Sequence, residues 1–378
     1  VTRGAIPELV RDVLQTGLRL IPWPTEPGLR RLGSPGPLSP VLITCNFDLT
    51  VRRVERAMRG VDAWLVVAPS SGINVWCAAS GGHLSTHQVV TALKTSGISR
   101  HVHHRRAILP QLAATGVVAR EVERRSRWQV KFGPVYAQDI PRYLAQHEKK
   151  SEDMRRVRFG VTERLEMAAA WATPMALLAA IPTLFFRPMW VLPLIALICA
   201  LSVAVFTIYD RLPARRRLYL TAAASLMAVA VTALAGGGAA ALITAALASV
   251  AASWLLTYDY AGSTPIEGGS HFKEALWNIK LDLDRCKGVY FCWQVCPEAC
   301  FDKREDIRKV ELARNDSCIR CGACVVQCPT DALYFQNSTG HRIEPDTIRR
   351  FKLNLLGQRS VDVGTSVEAG DETSDVSG

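Results

Sequence analysis

The sequence predicts a three-part chain: an α/β domain with a mostly parallel sheet, a four-helix transmembrane domain, and a cysteine-rich α+β domain. Three observations carry that expectation. Apolar strands alternate with amphipathic helices in the first part, four uncharged runs fall between Met167 and Leu256, and eight of the eleven cysteines lie between Cys286 and Cys328. A chain of 378 residues has room for two or three such domains.

Residues 1–150 are assigned to the α/β domain. Residues 5–20 read as a short amphipathic segment, and Pro22 to Pro40 as a proline- and glycine-rich approach. A strand over Val41 to Thr44, a helix over Val51 to Met58, a strand over Ala63 to Ala68 and a helix over Thr86 to Leu93 follow, with Thr86 as its N-cap. Alternation at this spacing predicts a mostly parallel sheet, whose ligands bind beyond the carboxyl ends of the strands. Thr44-Cys45-Asn46 and Ser70 to Cys77 both lie at such ends and would line one crevice. Cys45 reads as a small core residue. Cys77, in a loop leading to a helix, has two readings: a small hydrophobe packed under that helix, or a thiol presented to a ligand. His103 and His104 beside Arg105 and Arg106 are equally a phosphate- or amide-binding cluster and a solvated basic turn.

Residues 151–166 form a basic linker. The transmembrane domain, residues 167–258, offers four uncharged runs at 167–186, 189–208, 218–235 and 239–256, each near the roughly 20 residues a bilayer demands. They lack the polar stripe of a soluble bundle helix. No cleavable signal peptide is expected, since the first long apolar run begins only at Met167. Arg155, Arg156, Arg158 and Arg164 precede the first run, and Arg211, Arg215, Arg216 and Arg217 join the second to the third. By the positive-inside rule both flanking domains face the cytoplasm, at the inner membrane of a multi-pass protein. The net charge of +11 is concentrated in these clusters and in Arg120 to Arg127, which fits a lipid surface better than nucleic acid.

A linker over 259–280 leads to the cysteine-rich domain, 281–337, and a tail over 338–378 whose end reads as disordered. Cys318-x2-Cys321-x2-Cys324-x3-Cys328-Pro329 is the bacterial ferredoxin run, in which the fourth cysteine ligates the other cluster. Zinc sites favour two separated pairs instead. Upstream, Cys286, Cys292 and Cys296-Pro297 repeat the run with Val289 in place of its second cysteine. Crossed ligation assigns Cys296, Cys318, Cys321 and Cys324 to a [4Fe-4S] cluster. It leaves Cys286, Cys292 and Cys328 for a [3Fe-4S] cluster or a [4Fe-4S] cluster with an open iron. The stretch from Cys292 to Phe301 resembles seven-iron ferredoxins, in which the cysteine matching Cys300 is a free thiol.

Gly72-Ile73-Asn74-Val75-Trp76-Cys77-Ala78-Ala79 resembles the cap-helix signature of the mercury-methylating corrinoid proteins, whose cysteine ligates cobalt from below. The likeness continues in order through Glu26-Pro27-Gly28-Leu29, Gly33-Ser34-Pro35, Val41 to Asn46, His104-Arg105-Arg106, Ile108 to Leu112, Phe132-Gly133-Pro134-Val135 and Met154 to Phe159. It covers most of residues 20–160. The resemblance implies a cobalamin-type corrinoid held by Thr44, Asn46, Asn74, Val75, Trp76, Cys77, Ala78 and Ala79, with Cys77 as the cobalt ligand and catalytic residue. The whole chain looks like such a protein fused to its ferredoxin partner. That implies a membrane-anchored methyltransferase passing a methyl group to a soft metal, mercury(II) or a related metal or metalloid, with the ferredoxin re-reducing cobalt. Implied partners are membrane lipid, a methyl-donor protein or methyl-folate-type donor, and a low-potential electron donor.

Three departures separate the chain from that family. The lysine after the cap motif is absent, His341 stands near an expected accessory cysteine, and no cysteine follows Cys328. The family's usual five spans are also four here. An alternative reading is a membrane-bound electron carrier whose first domain is degenerate and non-catalytic.

Overall fold

The computed structural model describes residues 8–208, 216–258 and 277–351. The expected arginines 211 and 215, residues 259–276 of the expected linker 259–280, and the tail beyond 351 lie outside the described residues.

The first domain runs α1 (Glu8–Gly17), β1 (Gly28–Leu32), β2 (Val41–Cys45), α2 (Asp48–Ala57), β3 (Ala63–Ala68), α3 (Val75–Ser80), α4 (Thr86–Thr95), β4 (Arg106–Leu109), α5 (Ala119–Ser126), β5 (Gln129–Phe132) and α6 (Ile140–Ala145). The strands form one sheet in the order β1-β3-β2-β4-β5, parallel except for the edge strand β1. Every residue of β2 and β3 is buried, as central strands covered by helices on both faces require. Cys45 pairs with Ala68 and Leu109 with Phe132, so the strands end close to one level. The site is built on that edge.

Three local expectations are corrected. The residues around Cys77 are helical, because Asn74 caps them by accepting a hydrogen bond from the Cys77 N–H at 3.0 Å. The N-cap of α4 is Ser85, not Thr86: Ser85 and Gln88 form a capping box, and the Thr86 hydroxyl accepts instead from the Val118 N–H at 2.9 Å. Helix α2 starts three residues early, at Asp48, whose carboxylate suits a first turn.

The supposed linker 151–166 is structured. It contains α7 (Glu152–Arg155) and the first turns of α8 (Val161–Phe186), which begins before the uncharged run does. Arg155, read as a membrane-flanking charge, is buried. Its Nη1 donates to the Trp293 carbonyl at 2.6 Å and its guanidinium lies 3.6 Å from the centre of the Trp293 ring.

After α8 come a turn at Pro188–Trp190, α9 (Val191–Ile208), α10 (Arg216–Leu234) and α11 (Ala239–Tyr258). Helix α8 packs on α9 and α10 on α11. Two segments, Val161–Phe186 and Pro188–Ile208, are long and apolar enough to cross a membrane; the apolar stretches Leu218–Leu234 and Ala239–Trp254 are shorter among the described residues.

The third domain comprises β6 (Asn278–Leu281), α12 (Phe291–Val295), β7 (Phe301–Arg304), β8 (Lys309–Leu312), α13 (Ala323–Gln327), β9 (Leu333–Gln336), β10 (Arg342–Ile343) and α14 (Pro345–Phe351). Its strands form a three-stranded sheet, β10-β9-β6, and the hairpin β7-β8. It therefore begins at or before Asn278 and extends past 337. Ile343 and Ile348 enter its core, and the Arg349 guanidinium donates to the Cys328 carbonyl at 2.8 Å. Part of the predicted tail is thus folded.

Candidate functional site

Asn46 organises the strand ends. Its Oδ1 accepts from the Ser70 N–H at 2.8 Å, the Ser70 hydroxyl at 2.9 Å and the Gly72 N–H at 3.0 Å, while its Nδ2 donates to the Thr25 carbonyl at 3.0 Å. The side chain expected to touch a ligand is instead committed to holding the loop after β3. Gly72 has φ +69°, and a Cβ there would lie 2.5 Å from the Pro24 nitrogen, so only glycine fits. The loop delivers the chain into α3. Val75, Ala78 and Ala79 are buried, Asn74 and Trp76 half-buried, and Cys77 is exposed. Of the two readings of Cys77, the thiol presented outward is the one this geometry carries. Cys45 is fully buried, as expected, and burial raises its thiol pKa.

Thr44, expected to touch a ligand, is the penultimate residue of β2 on the Leu42 side of the sheet, away from Val75 and Ala78, and its buried hydroxyl has no hydrogen-bond partner among the described residues. Cys77 on its short helix, with the buried Ala78 and Ala79 after it, stands at the carboxyl edge of the sheet, where ligands of such domains bind. The basic cluster does not join them. His104 Nε2 pairs with the Ser39 carbonyl at 3.0 Å, and the cluster precedes β4, at the opposite end of the sheet from Cys77.

Sequence reasoning missed Gly116. A Cβ there would sit 2.4 Å from the Ala79 carbonyl, so its absence lets the turn Gln111–Thr115 lie directly on α3. Nothing in the local pattern marks it, because the close approach is tertiary.

The thiols of the third domain line two cavities. Cys296, Cys318, Cys321 and Cys324 line one cavity, together with Cys300 and Glu298; Cys286, Cys292 and Cys328 line the other, with Val289. Among the described residues no three such side chains converge tightly enough for a single metal ion, whereas a polynuclear cluster occupies a cavity between its thiolates. The backbone fits as well: Cys296 Sγ accepts from the Cys300 N–H and Cys328 Sγ from the Ala332 N–H, each at 3.3 Å. These matching bonds after the two Cys-Pro turns are the internal repeat made visible, and N–H donors to cluster sulfur tune its potential. Burial pushes the Cys292 thiol up to about 12 and also raises Cys321 and Cys324, so binding iron displaces protons there. Burial, reinforced by Cys296, also lifts Glu298 to about 8, leaving it neutral near pH 7. His341 packs edge-on against Trp277.

The two domains share a seam. Gln327 on α13 donates to the Ala114 and Val117 carbonyls at 2.7 and 2.6 Å and accepts from the Ala119 N–H at 3.2 Å. Lys150 Nζ reaches Gln111 Oε1 and the Gln294 carbonyl, both at 2.8 Å, and the Val157 N–H donates to the Pro297 carbonyl at 2.9 Å. The turn Gln111–Thr115 packs against α3 and also against α12 and α13. One short turn thus separates the Cys77 helix from the thiol-bearing helices.

Fold and site together define an α/β domain with a thiol at its carboxyl edge, seamed to an iron–sulfur type module. Comparison with known proteins agrees in both parts: residues 5–144 match the CO dehydrogenase/acetyl-CoA synthase delta subunit family, and residues 314–334 match the 4Fe-4S binding domain. Relatives include acetyl-CoA decarbonylase/synthase complex subunit gamma of Archaeoglobus fulgidus, 34% identical over 125 residues, covering 32% of this chain and 26% of the relative. The subunit gamma of Methanopyrus kandleri is 34% identical over 125 residues (32% and 27%). Subunit gamma 1 of Methanosarcina thermophila is 30% identical over 146 residues (37% and 31%). The chain spans about a quarter to a third of the length of these relatives.

Proposed function

We propose that the chain is a membrane-anchored, corrinoid-dependent methyltransferase with a built-in electron supply, passing a methyl group to a soft metal acceptor such as mercury(II). The observation that carries this reading is the exposed Cys77 on a short helix at the carboxyl edge of the sheet, one turn away from the thiol-bearing helices. A corrinoid, when bound, supplies a cobalt centre that accepts and releases a methyl group, and iron–sulfur clusters supply single electrons.

The chain's own residues do the rest. Asn74 caps α3 and holds the Cys77 backbone, so the thiol stands in the first turn of the helix. Ala78 and Ala79 are buried where α3 packs against the turn Gln111–Thr115, while Cys77 stays exposed. Asn46 and Ser70 fix the loop. Cys296, Cys318, Cys321 and Cys324 would hold a [4Fe-4S] cluster, and Cys286, Cys292 and Cys328 a three-iron or open-cornered one. Helices α8 to α11 form the anchor, as a four-span domain with both flanking domains on the cytoplasmic side. A methyl-donor protein or methyl-folate-type donor and a low-potential electron donor are the partners this chemistry needs.

The names of the relatives favour a second acceptor: an acyl-forming protein complex in place of a metal. The full chain, produced with cobalamin, distinguishes these. We expect a corrinoid spectrum that changes in Cys77→Ala, and methyl transfer to mercury(II) or arsenic(III) that the same variant loses. A Cys77→Ala chain with unchanged spectrum and transfer overturns the reading; a corrinoid-loaded chain inert toward every metal acceptor points to the complex.

A further inference from the structure

Helix α1 has no part in the site, yet it shows a strongly divided surface. Arg11, Asp12 and Gln15 on its polar face engage α2. Arg11 bonds Asp48 at 2.8 Å, Asp12 pairs with Arg52 and with Arg56, and Gln15 donates to Asp48 at 2.8 Å. The opposite stripe, Leu9, Val10, Val13 and Leu14, is 75, 45, 63 and 42% exposed, and Leu20 and Ile21 beyond it are exposed too. The register on α2 therefore turns apolar side chains outward by design of the polar face.

The position of this stripe identifies what covers it. Gly17 passes so close to α8 that a Cβ would lie 2.7 Å from Thr173 Oγ1, and Arg19 lies 3.7 Å from Glu166 and 3.6 Å from the Met167 sulfur. Thr173 is six residues into the uncharged run that begins at Met167, about 9 Å along the helix at 1.5 Å per residue. That is the depth, roughly 5–10 Å, at which interfacial amphipathic helices rest. The apolar stripe of α1 is thus continuous with the exposed apolar surface of α8, where Leu177, Leu178 and Ile181 stand outward.

We propose that α1, with Leu20 and Ile21, is an interfacial lipid-docking helix, its apolar face set among acyl chains on the side of the bilayer that carries the α/β domain. This rests on the membrane reading above. From α1 the chain reaches the site within a few residues: the Trp23 N–H donates to the Gly72 carbonyl at 3.0 Å, and the Trp23 carbonyl accepts from the Asp48 N–H at 2.9 Å. Lipid docking of α1 consequently sets how the loop before Cys77 stands relative to the membrane surface.

Tryptophan quenching by brominated phosphatidylcholine tests it in the reconstituted full chain. Val13→Trp and, separately, Leu178→Trp are compared with the parent chain, with the iron–sulfur absorbance as the check on folding. The expected result is at least a two-fold gain in lipid-quenchable emission for both. Quenching of Leu178→Trp without Val13→Trp overturns the proposal and leaves the membrane reading standing, and a concentration-dependent shift of the Val13→Trp emission would then assign the stripe to a second copy. Absence of quenching in both overturns the anchor itself and the proposal with it.

Discussion

Val289 lines the three-thiol cavity beside Cys286 and Cys292, 44% exposed, at the position where the internal repeat calls for a cysteine. Because the surrounding backbone already accommodates a ligand loop, Val289→Cys is expected to add a fourth thiolate without rebuilding the site. Iron per chain should rise, and the electron paramagnetic resonance signal of a three-iron centre should give way to that of a four-iron one. An unchanged iron content and signal would show that this cavity is not assembled by Cys286, Cys292 and Cys328. At this scale the sequence was most legible where chemistry fixes spacing, as in the cysteine runs. It was least legible where a residue's work is tertiary. Asn46 read as a ligand contact and holds a loop, while Gly116 read as nothing and permits two backbones to meet.

Among the elements, the segment from α6 to α8 departs furthest from expectation. Its basic composition suggests a linker, but Lys150 and Arg155 are the seam with the third domain. Removal from water, then the nearby Arg155 charge, lowers the Lys150 pKa from 10.5 to about 7. An undocked lysine keeps its proton up to about pH 10.5 while the docked one loses it near 7, so the seam gains stability as pH rises between those values and bears its full cost below 7. Thermal unfolding followed by the iron–sulfur chromophore should therefore show a higher midpoint at pH 9 than at pH 6. Lys150→Met, which keeps the apolar stem and cannot titrate, should flatten that difference. A parent chain with no such pH dependence would count against this assignment. No composition-based reading distinguishes this lysine from a solvated one, since its burial comes from residues far along the chain.

For the whole molecule, the helices α8 to α11, the seam and α1 bring the thiol helix, the cysteine-rich module and the exposed apolar surfaces of α1 and α8 into one assembly. If α8 to α11 anchor it, the full chain stays with membranes through alkaline carbonate and high-salt washes and is released only by detergent; release by carbonate alone would refute the anchor. Taken alone, the sequence determined the three-part order, the parallel sheet, the cysteine spacing and the apolar runs, because each follows from periodicity or from ligand spacing that a short stretch carries in full. Only the tertiary structure decided that Cys77 faces outward on a helix, that the basic cluster lies at the far end of the sheet, and that the third domain rests against the turn beneath that helix. Those outcomes depend on which distant surfaces exclude water from one another, and no local pattern encodes that.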